Sequence, residues 1–160
     1  GADDYLTKPF SAGLLRSLNL PETYRIMLEE PVPFNEAAKT DPAVKARIAE
    51  MNRKIQANRR LSASQSPCYA ELVTTMIFYH KAMMYGSNLF TGWVYRDFAD
   101  KPLAQKVATG AVKNPLEVFP PKTPEQVDQA KAELRDAFAK DYAEWLAKKF
   151  PTGAAPRAAR

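Results

Sequence analysis

The sequence predicts a mainly α-helical fold, in which two or three long amphipathic helices are joined by proline-rich extended arms without a substantial sheet. Apolar residues recur at spacings of three and four in three stretches of the 160-residue chain. Prolines outnumber glycines by 13 to 6, and proline ends helices and stiffens connectors. The β-branched residues fall inside the helical periods, so no stretch predicts a strand.

Residues 1–41 are interpreted as an extended N-terminal arm with short helices. Ser11 is placed to cap one short helix, and Pro21 to begin a second. Pro31 and Pro33 then keep the chain extended. An arm of this kind is expected to lie along a larger structure.

The first ten residues, GADDYLTKPF, resemble the segment that closes response-regulator receiver domains. In that family the lysine contacts the phosphoryl group and the next proline takes a cis bond, so the resemblance implies these roles for Lys8 and Pro9. It covers eighteen residues of the chain at most. The family's phosphoacceptor aspartate and acidic metal-binding pair lie upstream of this whole segment, so within the given sequence Lys8 has no phosphoryl group to contact. The preferred interpretation is a coincidence of a short string, and the alternative is the remnant of a trimmed receiver domain.

The first long helix is predicted over residues 42–61. Asp41 supplies an N-cap oxygen, and Pro42 occupies the first helical position. One apolar stripe follows, comprising Val44, Ile48, Met51 and Ile55. The other faces are mostly basic, with six cations and one acid in 42–61.

A second helix, predicted over residues 67–96, provides the candidate partner interface. Its apolar residues alternate spacings of four and three, which is typical of a helix packed lengthwise on another helix. These residues are Leu72, Met76, Tyr79, Met83, Gly86, Phe90 and Trp93. Gly86 costs helix stability, so its place in the seam predicts the close approach of another backbone or of a bulky side chain.

The same segment is too short to span a membrane as a simple helix. Its longest uncharged run, residues 82–95, is fourteen residues, against the roughly 18–20 that a bilayer requires. We expect instead a helix buried in protein or lying at a membrane interface.

The third helix is predicted over residues 124–150, after a proline-broken connector over 96–123. Thr123 is placed as the capping hydroxyl, with Pro124 at the first helical position and Gln126 at the third. Residues 42–150 thus form the predicted helical domain. The final segment, 151–160, is expected to be a disordered basic tail.

Charge is unevenly distributed along the chain, whose net charge is +5. Residues 1–41 contain seven acids and four bases, a net charge of −3, whereas residues 42–61 have a net charge of +5. This separation indicates oppositely charged neighbours or a membrane surface.

The sequence predicts no catalytic residues, no cofactor and no metal site. Its single cysteine, Cys68, and single histidine, His80, cannot form a disulfide or a zinc cluster of Cys and His. His80 beside Lys81 is one candidate general base, but a structural role is the preferred interpretation. Cys68 is placed at the predicted start of the second helix, where the helix dipole would favour a reactive thiol, but a role as a small apolar residue is the preferred interpretation.

These patterns favour a non-catalytic accessory subunit of a large assembly, acting in assembly or stability by binding other protein subunits. The lack of an initiator methionine indicates removal of a targeting presequence or a trimmed chain. A mitochondrial respiratory-chain complex or ATP synthase at the inner membrane, with possible peripheral lipid contact, is the favoured assembly. Two alternatives stay open: a ribosomal or other nucleic-acid-associated protein, although nucleic-acid binding is disfavoured, and a small helical enzyme that uses His80.

Overall fold

The computed structural model describes residues 39–82 and 86–151. Within them lie two long helices and an antiparallel sheet with strand order β1-β2-β3. The elements in chain order are α1 (Pro42–Gln56), β1 (Tyr69–Ala82), β2 (Gly86–Ala99), β3 (Lys106–Leu116), a 3-10 turn (Pro124–Gln126) and α2 (Val127–Lys149). The prediction of a mainly helical fold is therefore wrong. Predictions for residues 1–38, including the receiver-like string, and for residues 152–160 lie outside the described residues.

The predicted helix over 67–96 is in fact β1 and most of β2. Its first half is dense in β-branched and aromatic residues, which lose side-chain freedom in a helix and pack well on a sheet; these are Val73, Thr74, Thr75, Ile77, Phe78 and Tyr79. Residues Thr91 to Ala99 of β2 are buried on both sides except for Val94. A strand buried on both faces loses the simple apolar–polar alternation. The apolar residues of this stretch therefore fell at spacings of three and four, which wrongly indicated a helix.

A β-bulge in β1 sets which side chains lie on each face of the sheet. Thr74 pairs with Trp93 and Met76 with Gly92, which leaves Thr75 without a partner on β2. A Cβ on Gly92 would lie 3.1 Å from Thr75 Oγ1, so the absence of a side chain there makes room for the bulged threonine.

Helix α2 covers one face of the sheet and closes the core. Trp93 of β2 lies under it, with ring centroids 5.6 Å from Phe138 and 5.7 Å from Trp145. Trp93 and Trp145 are both fully buried. We call the sheet face under α2 the helix face and the opposite one the back face.

The predicted third helix is confirmed, but it begins differently. Pro124 opens a 3-10 turn, and the Thr123 side chain makes no capping hydrogen bond. The Gln126 side chain does reach back, but its Oε1 accepts from the backbone N–H of Lys122 at 2.9 Å, one residue before the predicted cap residue Thr123. Before this turn, the connector predicted over 96–123 contains β3.

The predicted first helix is confirmed as α1, although it ends five residues early. Asp41 Oδ1 accepts a hydrogen bond from Ala43 N–H at 2.9 Å, as its N-cap role predicts. Asn58 has a φ of 57°, and the N–H of Arg59 donates to the carbonyl of Lys54 at 2.9 Å. This left-handed turn ends the helix. No residue of α1 is buried.

Candidate protein-binding surface

The seven residues of the predicted interface do not share one surface. Leu72 packs against the core on the helix face, and Trp93 lies inside that core. Met76 and Phe90 lie on the back face, whereas Tyr79 is 48% exposed at the other face of β1. Met83 lies outside the described residues, and Gly86 begins β2. A helical seam is absent because the chain is extended here and adjacent residues point to opposite faces.

Gly86 has a different role from the predicted close approach. A Cβ on this residue would meet no atom within 4 Å, while its φ is +75°. Glycine is therefore suited to this position by backbone conformation.

The open end of the back face presents an aromatic pair. Phe78 of β1 and Phe90 of β2 are register partners. Their rings stack with centroids 4.9 Å apart and an interplanar angle of 4°. Phe78 is nevertheless 44% exposed, so the stacked pair leaves apolar ring surface in water.

Polar groups surround this pair. The His80 ring meets Phe90 edge-on at 6.3 Å between centroids, and Lys113 Nζ lies 5.8 Å from the Phe90 centroid. We call Phe78, His80, Phe90 and Lys113 the hairpin patch. An apolar centre with a polar rim is the usual anatomy of a protein-binding surface.

The other end of the back face is closed by the segment 57–68. Its main anchor is Arg60, whose guanidinium lies 4.6 Å from the Tyr69 ring centroid. The same group donates to four carbonyl oxygens, those of Ser64, Ser66, Ala99 and Lys101. One cation thus ties the segment to the ends of β1 and β2.

Beneath this segment lies a buried ion pair. Arg96 donates to Glu71 Oε1 from both Nε and Nη2, at 2.9 and 2.6 Å. Glu71 also accepts from the backbone N–H of Leu61 and from the Tyr69 hydroxyl. Burial and the hydrogen bond to Glu71 raise the pKa of Tyr69 to about 12. Through these contacts, the Glu71 carboxylate holds segment 57–68 on the sheet.

A second buried carboxylate lies between β2, β3 and α2. Asp141 accepts from Thr91 Oγ1 at 2.7 Å and from Asn114 Nδ2 at 2.5 Å. Asn114 also donates to Glu144 Oε2 at 3.2 Å. Burial raises the pKa of Asp141, while the two hydrogen bonds oppose that rise. These contacts join the helix to the sheet.

A shallow cavity of about 430 Å³ opens beside this cluster at the outer side of β3. Its lining is Phe90, Ala111, Val112, Lys113, Glu144 and Lys148. Glu144 and Lys148 offer opposite charges, and none of the six lining residues is Ser, Thr, Cys or His.

The two candidate reactive residues named from the sequence, His80 and Cys68, do not form one site. His80 is exposed on β1, and Cys68 precedes that strand. The predicted helix dipole at Cys68 is absent because residues 69–82 are a strand. Among residues 39–82 and 86–151, no group of three or more His, Cys, Asp or Glu side chains is placed to hold a metal ion. Neither helix in these ranges combines the length and apolarity needed to cross a bilayer.

Comparison with known proteins gives no relative for this chain. No family model, no curated protein and no solved structure matches it.

Sequence reasoning missed Phe78 as a surface residue. The signal was present in the alternation of residues 76–80, where Phe78 and His80 fall on one face and Ile77 and Tyr79 on the other. Phe90 was named for the interface, but for a helical reason.

Proposed function

We propose that this protein is a non-catalytic component of a larger assembly, and that it binds another protein through the hairpin patch. The observation behind this proposal is the Phe78–Phe90 stack with Phe78 44% exposed. Aromatic side chains held by a strand contribute large contact area and lose little conformational freedom on binding. Cross-strand stacking fixes both rings before a partner arrives.

The use of the buried charges supports a non-catalytic role. Arg96 and Glu71 hold the segment 57–68, and Asp141 holds α2 on the sheet. A catalytic acid or base must reach a substrate, whereas these carboxylates are directed at backbone and side-chain donors of the fold. His80 is exposed and contacts an aromatic ring.

Helix α1 provides a second binding element in this proposal. Its stripe residues Val44, Ile48, Met51 and Ile55 are half-buried, and none of its residues is fully buried. A 15-residue helix is marginally stable in water without packing. A partner that covers the stripe would stabilise it.

The cations near α1 favour protein binding over nucleic-acid binding. Arg53 pairs with Glu50 at 2.6 Å, and Lys54 Nζ donates to the carbonyl of Leu61 at 3.4 Å. Arg60 is occupied by four carbonyls. These three cations therefore have partners within the fold, which reduces what they can offer to phosphates.

More specifically, we propose that the larger assembly is an organelle membrane complex, as the sequence favours. It depends on the uneven charge distribution and the basic balance of the chain. Mitochondrial inner-membrane association and contact with lipid are accordingly predictions to be tested in the source cell.

The test is affinity purification of the full chain from its source cells, with quantitative mass spectrometry. Three chains are compared: wild type, Phe78→Ser and Val107→Ser. Val107 is a matched control because it is 48% exposed on the same back face, at the other end of β3. We expect one set of partner proteins with wild type and Val107→Ser, reduced at least tenfold with Phe78→Ser.

Equal recovery with Phe78→Ser and Val107→Ser would refute the role of the hairpin patch. Circular dichroism of both variants verifies that each is folded. Washing at increasing salt separates the alternatives, since phosphate-mediated binding weakens steeply with salt and an apolar contact does not. A turnover lost on His80→Ala while the partners stay bound would instead favour an enzyme.

A further inference from the structure

The two edges of the sheet differ in how well they are protected. The edge strand β3 contains Pro115, Lys106 and Lys113, and α2 packs along it. Proline and lysine on an edge strand prevent pairing with another strand. At the other edge, β1 is 14 residues long and contains neither proline nor glycine.

The unprotected part of β1 lies after the bulge. The bulge at Thr75 interrupts the strand, but residues 76–82 pair regularly with β2. These seven residues carry one charged side chain, Lys81, and residues 78–81 are exposed. A long, exposed and mostly uncharged edge strand is a template for strand pairing.

We propose that β1 pairs with β1 of a second copy of this chain, antiparallel and symmetric about Tyr79, to make a continuous six-stranded sheet. The proposal goes beyond the hairpin patch, because it assigns a partner to the strand edge. Tyr79 is the middle residue of 76–82, so a two-fold axis there pairs the whole regular stretch with itself.

The pairing about Tyr79 is self-complementary. Phe78 of each copy faces His80 of the other on the back face, an aromatic cross-strand pair. Ile77 faces Lys81, so no like charges are opposed. Because the axis is perpendicular to the sheet, both hairpin patches lie on the same side of the joined sheet.

Disulfide trapping tests this register in full-length protein carrying Cys68→Ser. In Tyr79→Cys, the two new thiols lie on directly opposed residues, whose Cα atoms are about 4.5–5.5 Å apart, within disulfide reach. In Lys81→Cys, the two thiols are separated by four residues, roughly 13 Å along the strand. We expect rapid covalent dimerisation of Tyr79→Cys and at least tenfold slower dimerisation of Lys81→Cys. Equal rates would overturn the register.

Sedimentation equilibrium of the unlinked chain tests the dimer itself. We expect wild type and Val107→Lys to dimerise and Tyr79→Lys to be monomeric, since it opposes two lysines at the axis. Tyr79 and Val107 are equally exposed, at 48%, so both variants should fold. A monomeric wild type, or a dimer that persists in Tyr79→Lys, would overturn the proposal. Phe78 belongs both to the hairpin patch and to this pairing, so Tyr79→Lys separates the two proposals: Tyr79 lies on the other face of β1, and this variant should lose the dimer while keeping the partner proteins.

Discussion

Arg96 and Glu71 form a salt bridge with 1% and 7% of their side chains exposed, and Arg96 also donates to the carbonyl of Arg59. The pair thus connects the centre of the sheet to the segment that follows α1. Arg96 Nη1 has no hydrogen-bond partner among the described residues. The arrangement holds a loop in place at the cost of burying two charges.

Replacement of Glu71 by Gln should strongly destabilise the protein. Arg96 would keep its buried charge without a counter-ion, so we expect a loss of about 3–5 kcal/mol in the free energy of unfolding. Urea denaturation measures this loss. The control is Asp100→Asn, which removes an exposed ion pair with Lys101 at 3.8 Å and should cost about 1 kcal/mol or less. Similar losses in both variants would contradict the structural role of the pair.

Glu133 of α2 anchors the chain that leaves β3. Its carboxylate accepts hydrogen bonds from the backbone N–H groups of residues 117–119, at 2.8–3.1 Å. We expect Glu133→Ala to lower the free energy of unfolding by about 1–3 kcal/mol, because it leaves these donors unpaired. Asp136→Ala, at an exposed position of the same helix, should have little effect. Denaturant titration of both variants makes the comparison.

Asp141 should make stability depend on pH. Since burial raises its pKa in the folded state, the folded protein binds more protons than the unfolded chain between the ordinary and the raised value. The free energy of unfolding therefore falls as pH rises through that window. Asp141→Asn abolishes this contribution, so the stability of the variant relative to wild type should increase with pH.

Denaturation from pH 3 to pH 7 (roughly the range over which carboxyl groups titrate) measures this difference. Glu144 and Lys140 act on the same carboxyl in opposite directions, and both are unchanged in the variant. Asp136→Asn provides the exposed control. A relative stability that is flat or falls with pH would contradict the raised pKa.

Gly86 should be sensitive to substitution despite its open surroundings. With φ at +75° and no atom within 4 Å of an added Cβ, Gly86→Ala should cost roughly 1–2 kcal/mol through backbone conformation alone. Gly86→Asn should cost less, because asparagine tolerates the left-handed region better. Thermal unfolding distinguishes this from a steric effect, which would make the larger asparagine more damaging than alanine.

Both helices were predictable because their signals are local. Asp41 and Pro42 start α1 as expected, and the apolar stripe of α2 includes the buried Leu134, Phe138 and Trp145. Caps and periodicity depend on residues a turn apart, which the sequence displays directly.

The sheet was missed because its signals depend on tertiary neighbours. Trp93 is covered by α2, while Arg96 and Phe98 on the opposite face lie beneath segment 57–68. Because both faces of β2 are covered, its apolar residues do not alternate with polar ones, and their spacing resembles that of a helix. The sequence alone does not show that α2 and segment 57–68 cover the two faces. The hairpin patch was hidden for the same reason, since it depends on the pairing of Phe78 with Phe90.

Because α2 follows the three strands in the sequence, it is made after the sheet that it covers. Trp93 emerges from the ribosome before Trp145 by about fifty residues, a delay of several seconds at roughly 5–20 residues per second. During that interval the hairpin can form, but its tryptophan has no helix to cover it. The nascent chain therefore exposes an aromatic surface until α2 is made, which gives chaperones a defined interval in which to bind it.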